Sequence, residues 1–160
     1  MKNILKFALL ISAITLIAVG CRKDSDSSLI NTWEIQRLEL KEITFASGVD
    51  AIQQAAVRAS LPMLINEFIN PELVGITLEF RENGNLITTD QSGDIFTGSY
   101  TVSGNILTIT EGFYAASGRF SISGNTLHWD IDPTDIFLEE GFGDIMGISS
   151  LVFRFVLRRV

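Results

Sequence analysis

The 160-residue sequence holds one cysteine and one histidine. A single cysteine closes no internal disulfide, so the stability of the fold has to come from packing. The lone histidine, His128, and the lack of any Gly-x-Ser-x-Gly stretch leave little from which to build a Ser-His-Asp nucleophile. Positive charge is scarce as well: 12 Lys and Arg stand against 19 Asp and Glu, a formal net charge of −7. Such a chain is repelled by phosphate backbones and anionic head groups, which argues against nucleic acid as a partner. No enzymatic activity, cofactor or metal is expected from these residues.

The first 20 residues carry Lys2 and Lys6, then an apolar run from Phe7 to Val19 that is short of the roughly 20 residues a spanning helix needs. The run ends in Ile17-Ala18-Val19-Gly20-Cys21, which resembles the lipobox of bacterial lipoproteins, with Ala18 where leucine is more frequent. The resemblance implies a signal peptide over residues 1–20 and lipidation (palmitate among the acyl chains) of Cys21. It places the mature protein at the outer membrane of the cell envelope, a membrane protein only through its N-terminal lipid. Losing Lys2 and Lys6 takes the net charge from −7 to −9. Residues 21–29 then form a flexible tether, since Arg22-Lys23-Asp24-Ser25-Asp26-Ser27-Ser28 is too polar to fold. Its Lys23-Asp24-Ser25-Asp26 stretch also resembles the acidic surface-export signal of Bacteroidota-type lipoproteins, so display at the cell surface stands as a second reading.

From residue 30 the pattern alternates with period two, the mark of half-buried strands. Trp33 and Ile35 share one phase and Leu38 and Leu40 the other, which predicts a bulge near Gln36-Arg37. Between about Asp50 and Ile69 the alternation stops. Val49, Ile52, Ala56, Ala59 and Met63 recur at helical spacing, predicting an amphipathic helix that packs through this face. Ser47 and Asp50 fit a capping box, Pro62 is expected to kink the helix or to begin a second one capped by Ser60, and Pro71 to end it.

A repeat follows. Gly98-Ser99-Tyr100-Thr101-Val102-Ser103-Gly104-Asn105-Ile106-Leu107-Thr108-Ile109 aligns with Gly118-Arg119-Phe120-Ser121-Ile122-Ser123-Gly124-Asn125-Thr126-Leu127-His128-Trp129, and a looser copy runs from Ile76 to Thr89. Each is strand, Gly-Asn turn, strand, so the three make an antiparallel meander. The last strand alternates Leu151, Phe153, Phe155 and Leu157 with polar and smaller residues; left open it would be an aggregation-prone edge, and pairing with the first strand removes that edge. The expected fold is therefore mainly β, an antiparallel up-and-down barrel of about eight strands over residues 30–160, with a helical insertion between the first and second strands.

The Asn31-Thr32-Trp33 opening, the Leu78-Glu79-Phe80-Arg81-Glu82-Asn83-Gly84 hairpin and the two Gly-x-aromatic-x-aliphatic-Ser-Gly-Asn-x-Leu repeats resemble the lipocalin-like lipoproteins of Bacteroidota-type bacteria. The resemblance spans residues 30 to 160, with Asn31 where true lipocalins carry glycine. It implies a barrel that holds a small hydrophobic ligand, for which Phe80, Phe96, Tyr100, Phe120, Trp129, Phe153 and Phe155 are the candidate lining residues; as bulky inward positions they serve equally as core. The rival expectation is a structural or interaction module that holds a protein or glycan partner on its exterior. His128 is expected to face outward. Asp130, Asp132, Asp135, Glu139, Glu140 and Asp144 form the best carboxylate cluster, but without the glycine and the twelfth-position acid of an EF-hand they read as a solvated loop.

Overall fold

A computed structural model describes residues 28–112, 114–134 and 146–160. The signal segment, Cys21, Asp135, Glu139, Glu140 and Asp144 lie outside the described residues. Eight antiparallel strands close into a barrel in sequence order: β1 (Thr32–Phe45), β2 (Thr77–Phe80), β3 (Asn85–Thr89), β4 (Ile95–Ser103), β5 (Ile106–Glu111), β6 (Tyr114–Ser123), β7 (Thr126–Ile131) and β8 (Ile148–Arg159). The three expected hairpins are β2–β3, β4–β5 and β6–β7. Gly84, Gly104 and Gly124 take φ of 79°, 60° and 59° in their turns, conformations that side chains with a Cβ adopt at a cost.

Closure is made by β1 against β8, from Trp33 opposite Arg159 to Phe45 opposite Ile148. The register slips between Ile35 and Arg37, where the sequence changes phase, and again between Leu40 and Glu42. Each slip returns the apolar residues to the interior, so that Trp33, Ile35, Leu38 and Ile43 are all buried.

The end carrying the three glycine turns, the start of β1 and the end of β8 is here termed the lower end. It is sealed. Trp33 and Leu29 are fully buried, Trp33 Nε1 donates to the Leu29 carbonyl at 2.9 Å, and the Arg159 guanidinium lies 5.0 Å over the Trp33 ring. Phe80, Leu86, Tyr100, Leu107, Phe120, Leu127 and Leu157 complete this core, with Phe80 and Tyr100 meeting edge to face at 4.9 Å.

The insertion consists of α1 (Ala51–Leu64), a π-helical turn (Ile65–Ile69) and α2 (Asn70–Leu73). Three expectations are corrected here. Asp50, not Ser47, caps the helix, its carboxylate accepting from the amides of Ile52 and Gln53 at 2.8 Å. Pro62 begins no second helix, since α1 runs past it, and Pro71 does not end the helical insertion but sits in the first turn of α2, where a missing N–H costs nothing. In the widened π turn the Asn70 amide bonds the Ile65 carbonyl five residues back. Ser60 caps nothing and only approaches the Val57 carbonyl, at 3.4 Å.

The face is corrected too. Leu61 and Ile65 are buried and Val57 partly so, packed against Leu38, Ile43, Ile148, Leu151 and Phe153, while Ile52 is 83% exposed and Met63 59%. Two apolar stripes compete on this helix, and Val57, Leu61 and Ile65 remove more apolar area from water than a stripe built on Ala56 and Ala59.

Candidate functional site

β1 hydrogen-bonds β2 only from Thr32 to Glu34, so its upper half lacks a strand on that side. Asn70 fills the position. Its Oδ1 accepts from the Leu38 amide at 2.6 Å, its Nδ2 donates to the Leu38 carbonyl at 3.1 Å, and Asn66 Oδ1 accepts the remaining proton at 2.9 Å. The side-chain amide thereby stands in for a neighbouring strand and leaves no buried polar group open. Gln91, in the β3–β4 turn, donates to the carbonyls of Pro71 and Val74 and ties the end of the insertion to the upper rim.

Above Trp129 the inward positions change character. On one wall stand Thr88, Gly98, Ala116 and Gly118; on the other are Trp129 and Phe155, whose rings lie 5.6 Å apart. Tyr100, one step lower on β4, and Phe120, one step lower on β6, are buried, whereas Thr88, Gly98, Ile109, Glu111, Ala116, Gly118, Ile131 and Phe155 all remain partly accessible to water. Large side chains fill the lower half of the interior; in the upper half these inward positions are only partly buried, while Leu38, Leu151 and Phe153 at the same end are buried beneath the insertion.

Gly98 and Gly118 are equivalent in the sequence repeat and do the same thing. A Cβ on Gly98 would lie 2.5 Å from the Thr110 carbonyl oxygen, and one on Gly118 closer still to that of Asp130. The strands approach there as no other residue permits, which tightens the curvature of the barrel wall.

One polar pair faces this space. Thr88 Oγ1, on β3, donates to Glu111 Oε2, on β5, at 3.1 Å. The bond reaches across β4, where Phe96 is the residue paired with Thr88 and Gly98, beside the Glu111 Cβ, carries no side chain.

The seven aromatic residues expected to line a ligand site separate into groups. Phe80, Tyr100 and Phe120 belong to the sealed lower core, and the Tyr100 hydroxyl is spent on the Arg81 carbonyl at 2.7 Å. Burial and the Glu82 charge raise the Tyr100 pKa, so the phenol stays protonated. Phe153 is buried beneath the insertion. Trp129, buried in the lower core, packs against the partly buried Phe155, and Phe96 is 39% exposed at the upper end of β4. Thr88, Gly98, Glu111, Ala116 and Gly118 did not figure among the expected lining residues; the glycines at equivalent repeat positions were the available signal.

Elsewhere, His128 lies between Ser121 and Val156 on the outer face of β7. The start of the acidic segment is occupied by protein partners. Asp130 takes a bidentate contact from Arg154, at 2.7 and 3.0 Å, and one from Lys41 at 2.6 Å; the Arg154 hydrogen bond is the main reason its carboxyl is held below the usual range. Asp132 accepts from the amide and hydroxyl of Thr134. Among the described residues no three His, Cys, Asp or Glu side chains converge as a metal site.

Two surface clefts are lined by described residues. One of about 690 Å³ lies at the lower end between Asn31, Glu79, Glu82, Asn83 and Val160, and one of about 390 Å³ follows the outer side of the β3–β4–β5 kink. Both open broadly to solvent, and the apolar Phe80 and Leu86 at their edges are turned into the core, so neither encloses an apolar molecule. Neither the protein-family models nor the curated proteins give a match to this chain.

Proposed function

We propose that this chain is a lipid-anchored cell-envelope protein of the lipocalin-like lipoprotein kind, whose barrel takes up a small hydrophobic molecule through its upper end. The observation that carries the reading is the partly accessible interior wall of Ile109, Ala116, Ile131 and Phe155 above a sealed floor. The anchoring half rests on the Lys2-to-Cys21 signal in the sequence. It also fits the direction of the chain, because the Ser28 carbonyl accepts from Arg159 at the lower end. A lipid on Cys21 would thus reach the barrel at its closed end and leave the open end facing away from its own membrane.

The test is native mass spectrometry of the protein extracted from its host, beside an Ala116→Phe variant that crowds the upper half. A co-purifying apolar molecule that is lost in the variant is the expected result; bare protein in both samples overturns it. A second reading, an interaction module on the barrel exterior, is favoured by one observation: Ile52, Met63 and Phe68 on the insertion are each more than half exposed. Under that reading Phe68→Lys abolishes capture of a protein or glycan partner and Ala116→Phe does not.

A further inference from the structure

The geometry points to a head-group specificity within the upper half: it selects amphiphiles that carry a protonated amine, with Glu111 as the counter-charge and Thr88 as the residue that positions it. This inference rests on the ligand-binding reading above and names the class of ligand.

Glu111 follows Leu107 and Ile109 on the inward side of β5, so its carboxylate stands on the same wall as the apolar surface. Thr88 occupies Oε2, and among the described side chains, Tyr114 not being one of them, none bonds Oε1 and no cation forms a salt bridge with the carboxylate. The cations of the described residues are committed elsewhere. Arg37, Lys41, Arg81 and Arg154 pair with acids on the outer face, Arg58 lies over Phe45, Arg159 lies over Trp33, and Arg119 and Arg158 occupy outward strand positions. A ligand ammonium beside Glu111 would therefore meet an uncompensated carboxylate at the edge of an apolar wall. There a charge-assisted hydrogen bond is worth more than in open water. The same carboxylate, within a chain of net charge −7, turns anionic head groups away.

An alkyl tail running down from Glu111 would lie between the small wall of Gly98, Ala116 and Gly118 and the large wall of Phe155 and Trp129. Trp129 Nε1 is engaged by the Leu107 carbonyl at 3.3 Å, so the indole offers that tail its carbon face and spends no polar group on it. The site is then divided into one acceptor at the rim and an apolar slot beneath it, the division an amphiphile requires.

The experiment compares octylamine, octanol and octanoate on the whole protein in lipid nanodiscs, by calorimetry with empty nanodiscs subtracted. The expected result is that octylamine binds roughly ten- to a hundredfold more tightly than octanol, with octanoate weakest. The isosteric Glu111→Gln variant should remove most of the margin by which octylamine exceeds octanol. Thr88→Val should give a partial loss of preference, and 0.5 M salt should reduce the amine preference of the wild type. If octanoate binds as well as octylamine, or if the amine preference survives in Glu111→Gln, the head-group inference fails while the ligand-binding reading stands. If none of the three binds, both fall.

Discussion

The two ends of this barrel are built from the same strands with the same alternation, yet the lower end is buried around its whole interior and the upper end only on the β1–β8 side beneath the insertion. At the lower end Leu29, Trp33, Phe80 and Leu107 are essentially inaccessible; at the upper end Ile109, Ala116, Ile131 and Phe155 face inward and remain partly wet. The difference lies in volume along single strands. β4 passes from Tyr100 to Gly98 and β6 from Phe120 to Gly118 and Ala116, so two strands trade a ring for almost nothing within one inward step. A closed barrel fixes its radius through strand number and shear and cannot contract around small residues, so their inward neighbours stay partly accessible.

The strongest way to break this comparison is at Trp33. Trp33→Ala removes a fully buried indole, its hydrogen bond to Leu29 and the surface on which Arg159 rests. The expected cost is about 3 to 5 kcal/mol, read as a lowered urea midpoint for unfolding. Phe155→Ala in the upper half should cost clearly less, because its ring is already partly in contact with water. Equal losses at the two positions would mean that the upper half is packed as tightly as the floor.

Asn70→Ala sharpens the comparison at intermediate cost. It leaves the amide and carbonyl of Leu38 without partners beside the insertion, for about 1 to 3 kcal/mol. Because Asn70 substitutes for a strand only along the upper half of β1, hydrogen exchange should quicken at Leu38 and along α1 while the Trp33 indole N–H keeps its protection. Uniform acceleration across the barrel would show that the two ends unfold as one unit.

Much of this architecture is legible in the residues because it is local. Period-two alternation and Gly-Asn turns define the hairpins, and the change of phase between Ile35 and Leu38 marks the bulge seen in the β1–β8 register. The strongly apolar Leu151-to-Leu157 alternation likewise called for a partner, and β1 supplies it. The insertion was harder to read, since Ile52, Ala56 and Met63 form one apolar stripe and Val57, Leu61 and Ile65 another, and only the position of Leu38 and Leu151 decides between them. The site was harder still. Bulky aromatics draw attention, but Phe80, Tyr100 and Phe120 lie in the buried core, and the partly accessible inward positions include the small residues Gly98, Ala116 and Gly118. That becomes visible only when strands far apart in sequence are brought into register.

The smallest expected effect concerns the outer face near the open end, where Asp130 on β7 joins Arg154 on β8 and Lys41 on β1 across the strands that close the barrel. The Arg154 hydrogen bond, followed by that from Lys41, sets the folded pKa of Asp130 below its unfolded value of about 3.9. A carboxyl depressed in this way stabilises the fold above its unfolded pKa, and that contribution is lost as pH falls through the folded value. Asp130→Asn should accordingly lower stability by about 1 kcal/mol at pH 7, since the pair is bidentate but lies at the barrel surface. The gap between variant and wild type should narrow as urea unfolding is repeated below pH 4. If it stays constant to pH 2, Asp130 acts through shape and neutral hydrogen bonding, and the upper wall is held by its backbone ladder without help from charge.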